Sequence, residues 1–305
     1  MRVGVIHNPK ARRNRDGRAR LDAPPEALVA EVGAFDFLPK VLADFAEAGV
    51  ELLVVDGGDG TVRDVLSRLP EAFGGRLPRL AILPSGKTNV LAKDLGARPG
   101  WTLRHALAAA SGGNGHIRTR TPMEVRWAGA TSPPMRGFMF GAGAYVRATA
   151  LAQDAHRRGL FDSVAVAVAL AGAVVRTVAG RAGDPWRAGD RASLAIDDAP
   201  ARDADRLLVL ASALENLPLG LRPFGPPRAG VKLLEVDAPP IRLAAAAPGL
   251  AAGFNSAWLA DHGYRRADVR RFTLKSEGDF VLDGEIYPGG DISVGTGPVF
   301  EFVTP

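Results

Sequence analysis

Short apolar runs alternate with helically spaced apolar positions over the first part of the chain. Val3 to Ile6 is a β-branched run that ends at Asn8-Pro9, and it predicts a buried strand that enters a turn. The apolar positions of Leu38 to Ala48 recur at helical spacing, and Gly49 is placed to end the helix that they predict. The continuous apolar run Val50 to Val55 then predicts a second strand.

The same alternation repeats once more. Val62 to Leu69 carries a helical stripe, and Leu80 to Leu83 is another short apolar run that predicts a strand. Strands that alternate with helices are typical of a parallel sheet with crossover helices, so we predict an α/β domain over residues 1–118. The basic segment Lys10 to Arg20 predicts a flexible, exposed loop within this domain.

After Gly112-Gly113 the pattern changes to short alternating or β-rich runs. These runs are Met123 to Trp127, Phe138 to Phe140, Arg206 to Ser212, Val231 to Val236 and Phe280 to Leu282. They predict an antiparallel, β-rich sandwich as a second domain over residues 119–289. About residues 290–305 could return to the first domain and pack on it. The Ala- and Pro-rich stretch Ala238 to Pro248 predicts a loop or a weakly specified strand.

One long apolar helix, Ser163 to Val178, is predicted to interrupt the second domain. Its roughly 16 residues are short for a bilayer span, which needs about 20, so a buried or interfacial helix is favoured. The segment Met1 to Pro9 lacks the basic and long apolar regions of a signal peptide. We therefore expect a cytoplasmic protein.

Composition limits the chemistry. The 305 residues contain no cysteine, and the five histidines are scattered, so disulfides, thiolate nucleophiles and Cys-ligated zinc are excluded and any metal is expected to have oxygen ligands, as Mg²⁺ or Ca²⁺ does. The formal net charge of +5 favours anionic partners such as nucleotides or anionic lipid surfaces. A composition bias towards Arg, Ala, Gly and Pro explains the same charge equally well.

The strongest candidate for chemistry is the turn Asp56 to Thr61, which separates a strand ending at Val55 from a helix beginning near Val62. Glycines at such a turn let backbone N–H groups approach a phosphate at the helix N-terminus. The carboxylate of Asp59 would repel a bare phosphate, but it can orient a nucleotide through a bridging Mg²⁺. The alternative is an ordinary tight loop with a helix cap.

A second glycine turn, Pro84 to Asn89, follows the next strand and precedes a helix predicted over Val90 to Leu95. Because the carboxyl ends of neighbouring parallel strands meet at one edge of a sheet, the two turns are predicted to lie side by side there.

The order and spacing of four motifs resemble the diacylglycerol kinase catalytic family, which also includes sphingosine and ceramide kinases and bacterial lipid kinases. The motifs are Asn8-Pro9, Gly57 to Thr61, Pro84 to Ala92 as Pro-x-Gly-x-x-Asn-x-x-Ala, and Leu282-Asp283-Gly284-Glu285. The resemblance is specific over about residues 1–110 and 280–286. It implies an NAD kinase/diacylglycerol kinase-like parallel sheet with ATP and Mg²⁺, and a lipid hydroxyl as the acceptor.

The resemblance also implies functional residues and a location. The nucleotide-binding positions are Asn8, Pro9, Lys10, Ala11, Arg12, Gly57, Gly58, Asp59, Gly60, Thr61, Asp64, Gly86, Lys87, Thr88 and Asn89. Asp59 is the implied metal ligand and a catalytic residue, and Asp283 and Glu285 are expected to act on the acceptor hydroxyl. A lipid kinase is expected at the inner face of the membrane, as a peripheral protein of phospholipid metabolism that binds no nucleic acid; whether it forms a homodimer stays open.

Several departures keep alternatives open. Lys87 and Val90 stand in a segment where the family shows Gly-Thr-Gly-Asn-Asp, and Ala229-Gly230 replaces an Asp-Gly that belongs to an additional structural metal site. Asp283-Gly284 on its own is a strong hairpin-turn signal. A dinucleotide kinase related to NAD kinases, and a nucleotide- or lipid-binding regulator with little transfer activity, are therefore the alternative functions.

Overall fold

The computed structural model describes residues 1–15, 21–33, 35–157, 172, 177, 180 and 184–305. The chain divides into two compact units. The first contains Met1–Pro122, Pro133–Arg136 and Pro298–Pro305, and the second contains Met123–Ser132 and Gly137–Gly297. Within the described residues, no helix combines the length and the apolar character that a membrane crossing requires.

The regular elements of the described residues are numbered in chain order. The strands are β1 (Val3–His7), β2 (Leu28–Glu31), β3 (Leu52–Gly57), β4 (Arg79–Pro84), β5 (His116–Arg120), β6 (Met123–Trp127), β7 (Met135–Gly137), β8 (Met139–Gly143), β9 (Asp190–Ile196), β10 (Arg202–Ser212), β11 (Val231–Asp237), β12 (Tyr264–Val269), β13 (Arg271–Ser276), β14 (Phe280–Leu282), β15 (Glu285–Tyr287), β16 (Gly290–Thr296) and β17 (Phe300–Thr304). The α-helices are α1 (Arg12–Arg15), α2 (Leu38–Glu47), α3 (Asp59–Phe73), α4 (Val90–Asp94), α5 (Leu103–Ala110), α6 (Ala144–Arg157), α7 (Pro185–Ala188), α8 (Leu243–Ala252) and α9 (Ala257–Asp261). Short 3₁₀ turns lie at Phe35–Phe37 and Pro218–Gly220.

The first unit is built on a six-stranded sheet with the order β2-β1-β3-β4-β17-β5. The first five strands in this order are parallel, and β5 pairs antiparallel with β17. Leu52, Leu53 and Val54 of β3 are fully buried, as expected for a central parallel strand that is covered on both faces. The strands β1, β3 and β4 therefore end at one edge of the sheet, and this edge carries both glycine turns.

A buried ion pair ties α4, the helix that follows the second glycine turn, to the edge strand β5. Nε of Arg120 donates to Oδ2 of Asp94 at 2.7 Å, and the two side chains are 6% and 0% exposed. Breaking such a pair by removing one partner leaves an uncompensated buried charge, which costs about 3–5 kcal/mol. The position of α4 is therefore strongly specified.

The second unit contains an 11-stranded sheet that is built on antiparallel pairs. Its continuous order is β15-β14-β8-β10-β9-β13-β16-β6-β7, with β11 paired to β10 off this path and β12 paired to β11. Aromatic packing fills its core, where the ring centroid of Phe140 lies 5.4 Å from that of Phe272 and 5.2 Å from that of Phe280. The prediction of a parallel α/β unit followed by an antiparallel β-rich unit is confirmed.

Several local predictions need correction. The stretch Ala238 to Pro248 was predicted to be a loop or strand, but residues 243–252 form the helix α8. Its alanines favour a helix, and burial of Ala246 and Leu250 stabilises the helix despite Pro248. In the basic segment Lys10 to Arg20, residues 12–15 form the helix α1, and residues 16–20 lie outside the described part of the chain. The predicted helix Ser163 to Val178 also lies outside it, apart from residues 172 and 177.

The helix after the first glycine turn begins earlier than the sequence predicts. Gly58 is its N-cap in an extended conformation, and Asp59, three residues before Val62, is the first helical residue. An acidic residue in the first turn interacts favourably with the helix dipole, which helps α3 to start there. Only Gly58 therefore separates the end of β3 at Gly57 from the start of α3 at Asp59.

Candidate functional site

The two glycine turns of the first unit touch each other through their backbones. A Cβ atom on Gly58 would lie 3.1 Å from Cα of Gly86, and a Cβ atom on Gly86 would collide with Cα of Gly58. No other residue type fits at either position without displacing the backbone. The prediction that the turns lie side by side at one sheet edge is confirmed, and the arrangement leaves a cradle of the kind that phosphates occupy in glycine-rich turns.

Asn8 and Thr61 join the loop after β1 to the first turn of α3. Nδ2 of Asn8 donates to Oγ1 of Thr61 at 2.8 Å, and Oδ1 of Asn8 accepts from the backbone N–H of Lys10 at 2.9 Å. Thr61 is buried against Gly57, where a Cβ atom would come within 2.6 Å of the Cβ of Thr61. The shape of the first turn is therefore fixed by the hydrogen bond between Asn8 and Thr61 and by the packing of Thr61 against Gly57.

The carboxylate of Asp59 links the two turns. Its Oδ1 accepts a hydrogen bond from the backbone N–H of Val90 at 2.6 Å, at the start of α4. Burial raises the pKa of Asp59, and the backbone N–H groups of Val90, Leu91 and Asn89 oppose this shift. A cation bound beside this carboxylate would offset the cost of its burial.

Asn89 stabilises the second turn from within. Its Oδ1 accepts from the backbone N–H of Gly86 at 2.8 Å, and its Nδ2 donates to the Gly86 carbonyl at 3.0 Å. Asn89 adopts a left-handed conformation with φ of 52°, which asparagine tolerates better than most residues. This reciprocal pair gives a physical reason for the Gly-x-x-Asn spacing.

The other predicted nucleotide-binding residues differ in their exposure. Lys10 and Lys87 are exposed, whereas Ala11 is buried; Pro9, Arg12, Gly60 and Thr88 are partly buried. The carboxylate of Asp64 is paired with Arg63, whose Nε and Nη2 lie 3.2 and 3.0 Å from its Oδ1. The negative charge of Asp64 is therefore compensated by a neighbouring residue of the same helix, Arg63.

A polar network beneath the turns was not predicted from the sequence. The buried carboxylate of Asp56 accepts from Nδ2 of Asn14 at 3.1 Å and from Oγ of Ser85, and it lies 2.7 Å from Nδ1 of His7. The strand register pairs His7 with Asp56, so polar residues at the ends of adjacent parallel strands were the signal that could have revealed it. Through Nδ2 of Asn14, which also donates to the Asn8 carbonyl at 2.9 Å, the network supports the first loop.

In the second unit, Asp283-Gly284 is the two-residue turn between β14 and β15, and Leu282 pairs with Glu285 across it. The φ angles of Asp283 and Gly284 are 48° and 85°. Positive φ at both central residues is the signature of a type I′ hairpin turn. The prediction that Asp283-Gly284 forms a hairpin turn is thus confirmed for the backbone. The roles of the Asp283 and Glu285 carboxylates depend on what each of them contacts.

Those contacts distinguish Asp283 from Glu285. Oδ1 of Asp283 accepts from the backbone N–H groups of Phe138 and Met139 at 2.9 and 2.8 Å. A Cβ atom on Gly137 would lie 2.7 Å from Oδ2 of Asp283, so glycine makes room for this carboxylate. Glu285 is exposed, and its carboxylate has no hydrogen bond or ion pair with any residue that the structure describes. Asp283 therefore anchors the hairpin, and Glu285 is presented to solvent.

A phenol lies close to Asp283. Burial raises the pKa of Tyr145 to about 12, and the negative charge of Asp283 adds to this effect. Tyr145 packs over Gly141, where any Cβ atom would collide with its ring. The hydroxyl of Tyr145 thus stays protonated at neutral pH.

The additional metal site that the resemblance implies does not fit this chain. Ala229 supplies no carboxylate, and nearby the buried ammonium group of Lys232 donates to the carbonyls of Leu214 and Arg228 at 2.6 and 2.8 Å. Carbonyl oxygens are typical ligands of Mg²⁺ and Ca²⁺, but here a lysine cation already uses them. The Lys232 side chain thus ties together the two ends of the connection between β10 and β11.

Replacing Lys232 with methionine is expected to lower the free energy of unfolding by about 2 kcal/mol or more, because two buried carbonyls lose their donor. Denaturant unfolding with and without Mg²⁺ or Ca²⁺ measures this. Lys275→Met, at an exposed lysine of β13, is the matched control and is expected to have little effect. Equal losses in both variants, or stabilisation of the unmodified protein by either cation at a saturable site in this unit, would contradict the assignment.

Residues 2–121 match the family model described as the diacylglycerol kinase catalytic domain, which confirms the resemblance for this part of the chain. A curated relative from Citrobacter koseri, "Probable lipid kinase YegS-like", is 40% identical over 68 residues, a match that spans 22% of this chain and 22% of the relative.

Solved structures share the fold over the whole chain. A diacylglycerol kinase from Bacillus anthracis str. Sterne is 14% identical with a TM-score of 0.64, and the alignment covers 100% of this chain and 97% of that one. A further solved structure from the same organism has 16% identity and a TM-score of 0.69, with the same coverage. At these identities the likeness shows the two-unit fold alone.

Proposed function

Because residues 2–121 match the diacylglycerol kinase catalytic domain, we propose that this chain is a lipid kinase that transfers the γ-phosphoryl group of ATP to a lipid hydroxyl. Membership of a kinase family implies a phosphotransferase that uses ATP. The observation that carries the proposal is the backbone contact between Gly58 and Gly86, since it forms a cradle at the N-terminus of α3 in the part of the chain that matches. Diacylglycerol or a similar lipid is the proposed acceptor.

The nucleotide belongs to the first unit in this proposal. Backbone N–H groups at the start of the 15-residue helix α3 and the positive end of its dipole bind the phosphates. Among the described residues no group of three His, Asp or Glu side chains could enclose a metal ion, so the single carboxylate of Asp59 and the phosphate oxygens would hold Mg²⁺. When bound, Mg²⁺ neutralises charge on the phosphates.

The acceptor is assigned to the second unit. Glu285 accepts the proton of the lipid hydroxyl as the hydroxyl oxygen forms its bond to the γ-phosphorus, and the bond from that phosphorus to the bridging oxygen breaks to release ADP. Glu285 suits this role because its carboxylate is exposed and uncommitted among the described residues, whereas Asp283 fixes the turn that presents it. Asp283 is thus proposed as a positioning residue.

The test is transfer of labelled γ-phosphate from ATP, with Mg²⁺, into micelles of single lipids. Diacylglycerol, monoacylglycerol, sphingoid base, ceramide and phosphatidylglycerol are the acceptors, and NAD is the soluble control. We expect label in one lipid, because the matching family model describes the catalytic domain of diacylglycerol kinases, which phosphorylate a lipid. Label in NAD alone would replace the proposal with a dinucleotide kinase, and ATP binding without transfer to any acceptor would replace it with a regulator.

A further inference from the structure

The helix α8 presents an apolar face to solvent in the second unit. Its buried side includes Ala246 and Leu250, which pack into a core cluster with Tyr264. The exposed positions are Ile241, Ala244, Ala245, Pro248 and Ala252. Ala244, Ala245, Pro248 and Ala252 are spaced by one, three and four residues, which places them on one side of α8, and none of the five exposed residues is polar.

A large aromatic side chain continues this face. Phe254, two residues after the end of α8, is 69% exposed, and Ile241, two residues before its start, is 54% exposed. The ring of Phe254 lies close to Gly249, since a Cβ atom there would be 3.9 Å from its Cδ2. Ile241, the exposed face of α8 and Phe254 are together called the apolar helix surface.

Positive charge borders the apolar helix surface. Arg242 is the N-cap of α8, and the backbone N–H of Arg222 donates to the carbonyl of Ala251 at 2.8 Å, which places Arg222 near the other end. Both arginines are exposed, and neither guanidinium has an ion pair or hydrogen bond with the residues that the structure describes. No acidic residue occurs in residues 216–230 or 238–260.

An apolar face bordered by unpaired arginines suits a bilayer interface better than water. Apolar side chains gain free energy when they enter the boundary between headgroups and acyl chains, and each arginine near the surface attracts anionic headgroups. A helix of 10 residues is too short to cross the hydrocarbon core, so it would lie in the plane of the interface.

We propose that the apolar helix surface docks the protein on membranes that contain anionic phospholipid. The inference rests on the proposed function, because a kinase of membrane lipids has to reach its acceptor in a bilayer. It adds to that function a specific surface and a lipid charge requirement.

Vesicle sedimentation of the whole protein, without ATP, tests the proposal. Vesicles of equal parts phosphatidylglycerol and phosphatidylcholine are compared with phosphatidylcholine alone. Phe254→Asp is expected to weaken binding to the anionic vesicles by about tenfold, because it removes an exposed apolar side chain that would enter the bilayer interface and adds a charge that anionic headgroups repel. Arg222→Gln and Arg242→Gln are expected to weaken it by about fivefold each.

Two matched controls separate docking from a general change of charge. Phe37→Asp acts on a phenylalanine that is also 69% exposed, in the first unit, and it introduces a residue that is favourable at the N-cap of α2. Arg191→Gln removes an exposed arginine that is paired with Asp205. Both controls are expected to bind vesicles like the unmodified protein.

The outcomes distinguish the docking surface from the catalytic proposal. Equal binding of Phe254→Asp and the unmodified protein, or equal losses in Phe254→Asp and Phe37→Asp, would overturn the docking surface. Self-association that Phe254→Asp abolishes, without vesicle binding, would assign the surface to a second copy of the chain instead. Turnover on detergent micelles is measured separately, so an inactive protein that still binds vesicles would contradict the proposed function and leave docking supported.

Discussion

Replacement of Asp59 with asparagine is expected to reduce phosphoryl transfer by about a hundredfold to a thousandfold, a typical cost when a group that stabilises transition-state charge is lost. The asparagine side-chain oxygen still accepts the hydrogen bond from Val90, whereas the negative charge that would hold Mg²⁺ is gone. The fold should therefore survive the change. The rate of label transfer and the midpoint of thermal unfolding, measured on the same preparation, test both parts of this expectation.

Asp59→Ala separates the two roles of this carboxylate. It removes the charge and also the acceptor at the start of α4, so it is expected to lose turnover and about 1 kcal/mol of stability. Asp44→Asn, at an exposed carboxylate paired with Lys40, is the control for neutralising a charge in the same unit. If Asp59→Asn turns over at the unmodified rate, the carboxylate has only its structural role and the assignment of the nucleotide site fails.

Glu285→Gln is expected to lower kcat by about a hundredfold to ten-thousandfold, the usual contribution of a general base. ATP affinity and the unfolding midpoint should be unchanged, because the exposed Glu285 carboxylate has no hydrogen bond or ion pair with the described residues. Single-turnover transfer and ATP binding, measured separately, distinguish a lost proton acceptor from a lost binding site.

Asp283→Asn is the informative comparison for Glu285→Gln. The asparagine oxygen can still accept from the N–H groups of Phe138 and Met139, but the asparagine amide nitrogen replaces Oδ2, which lies 3.2 Å from the Phe138 N–H, and the negative charge is lost. This variant is therefore expected to lose stability together with kcat. Glu277→Gln, at an exposed residue before β14, is the control. A Glu285→Gln variant that loses ATP affinity and keeps its rate at saturating ATP would remove Glu285 from proton transfer.

The sequence was sufficient where the signal is local. Continuous apolar runs predicted β1, β3 and β4, because a parallel strand buried on both faces has no polar positions. The glycines at positions 58 and 86 were found because a strand-to-helix turn that leaves no space for a side chain accepts only glycine. The Asp283-Gly284 pair indicated a hairpin turn for a different reason, because the two central residues of such a turn have positive φ, which glycine and aspartate tolerate.

Tertiary structure decided what each polar group contacts. Nothing local indicates that Asp59 accepts a hydrogen bond from Val90, 31 positions away, or that Asp283 binds the backbone at Phe138, 145 positions away. The helix α8 was mistaken for a loop or a weakly specified strand because the prolines of the stretch Ala238 to Pro248 argued against a helix although its alanines favour one, and burial of one side stabilises the helix. The sequence by itself thus determined the strands β1, β3 and β4 and the two glycine turns, through periodicity and steric limits. The tertiary structure decided that the carboxylates of Asp59 and Asp283 accept backbone hydrogen bonds and that the carboxylate of Glu285 is exposed to solvent. These differences depend on contacts between residues that are distant in sequence, and such contacts form only when the chain folds.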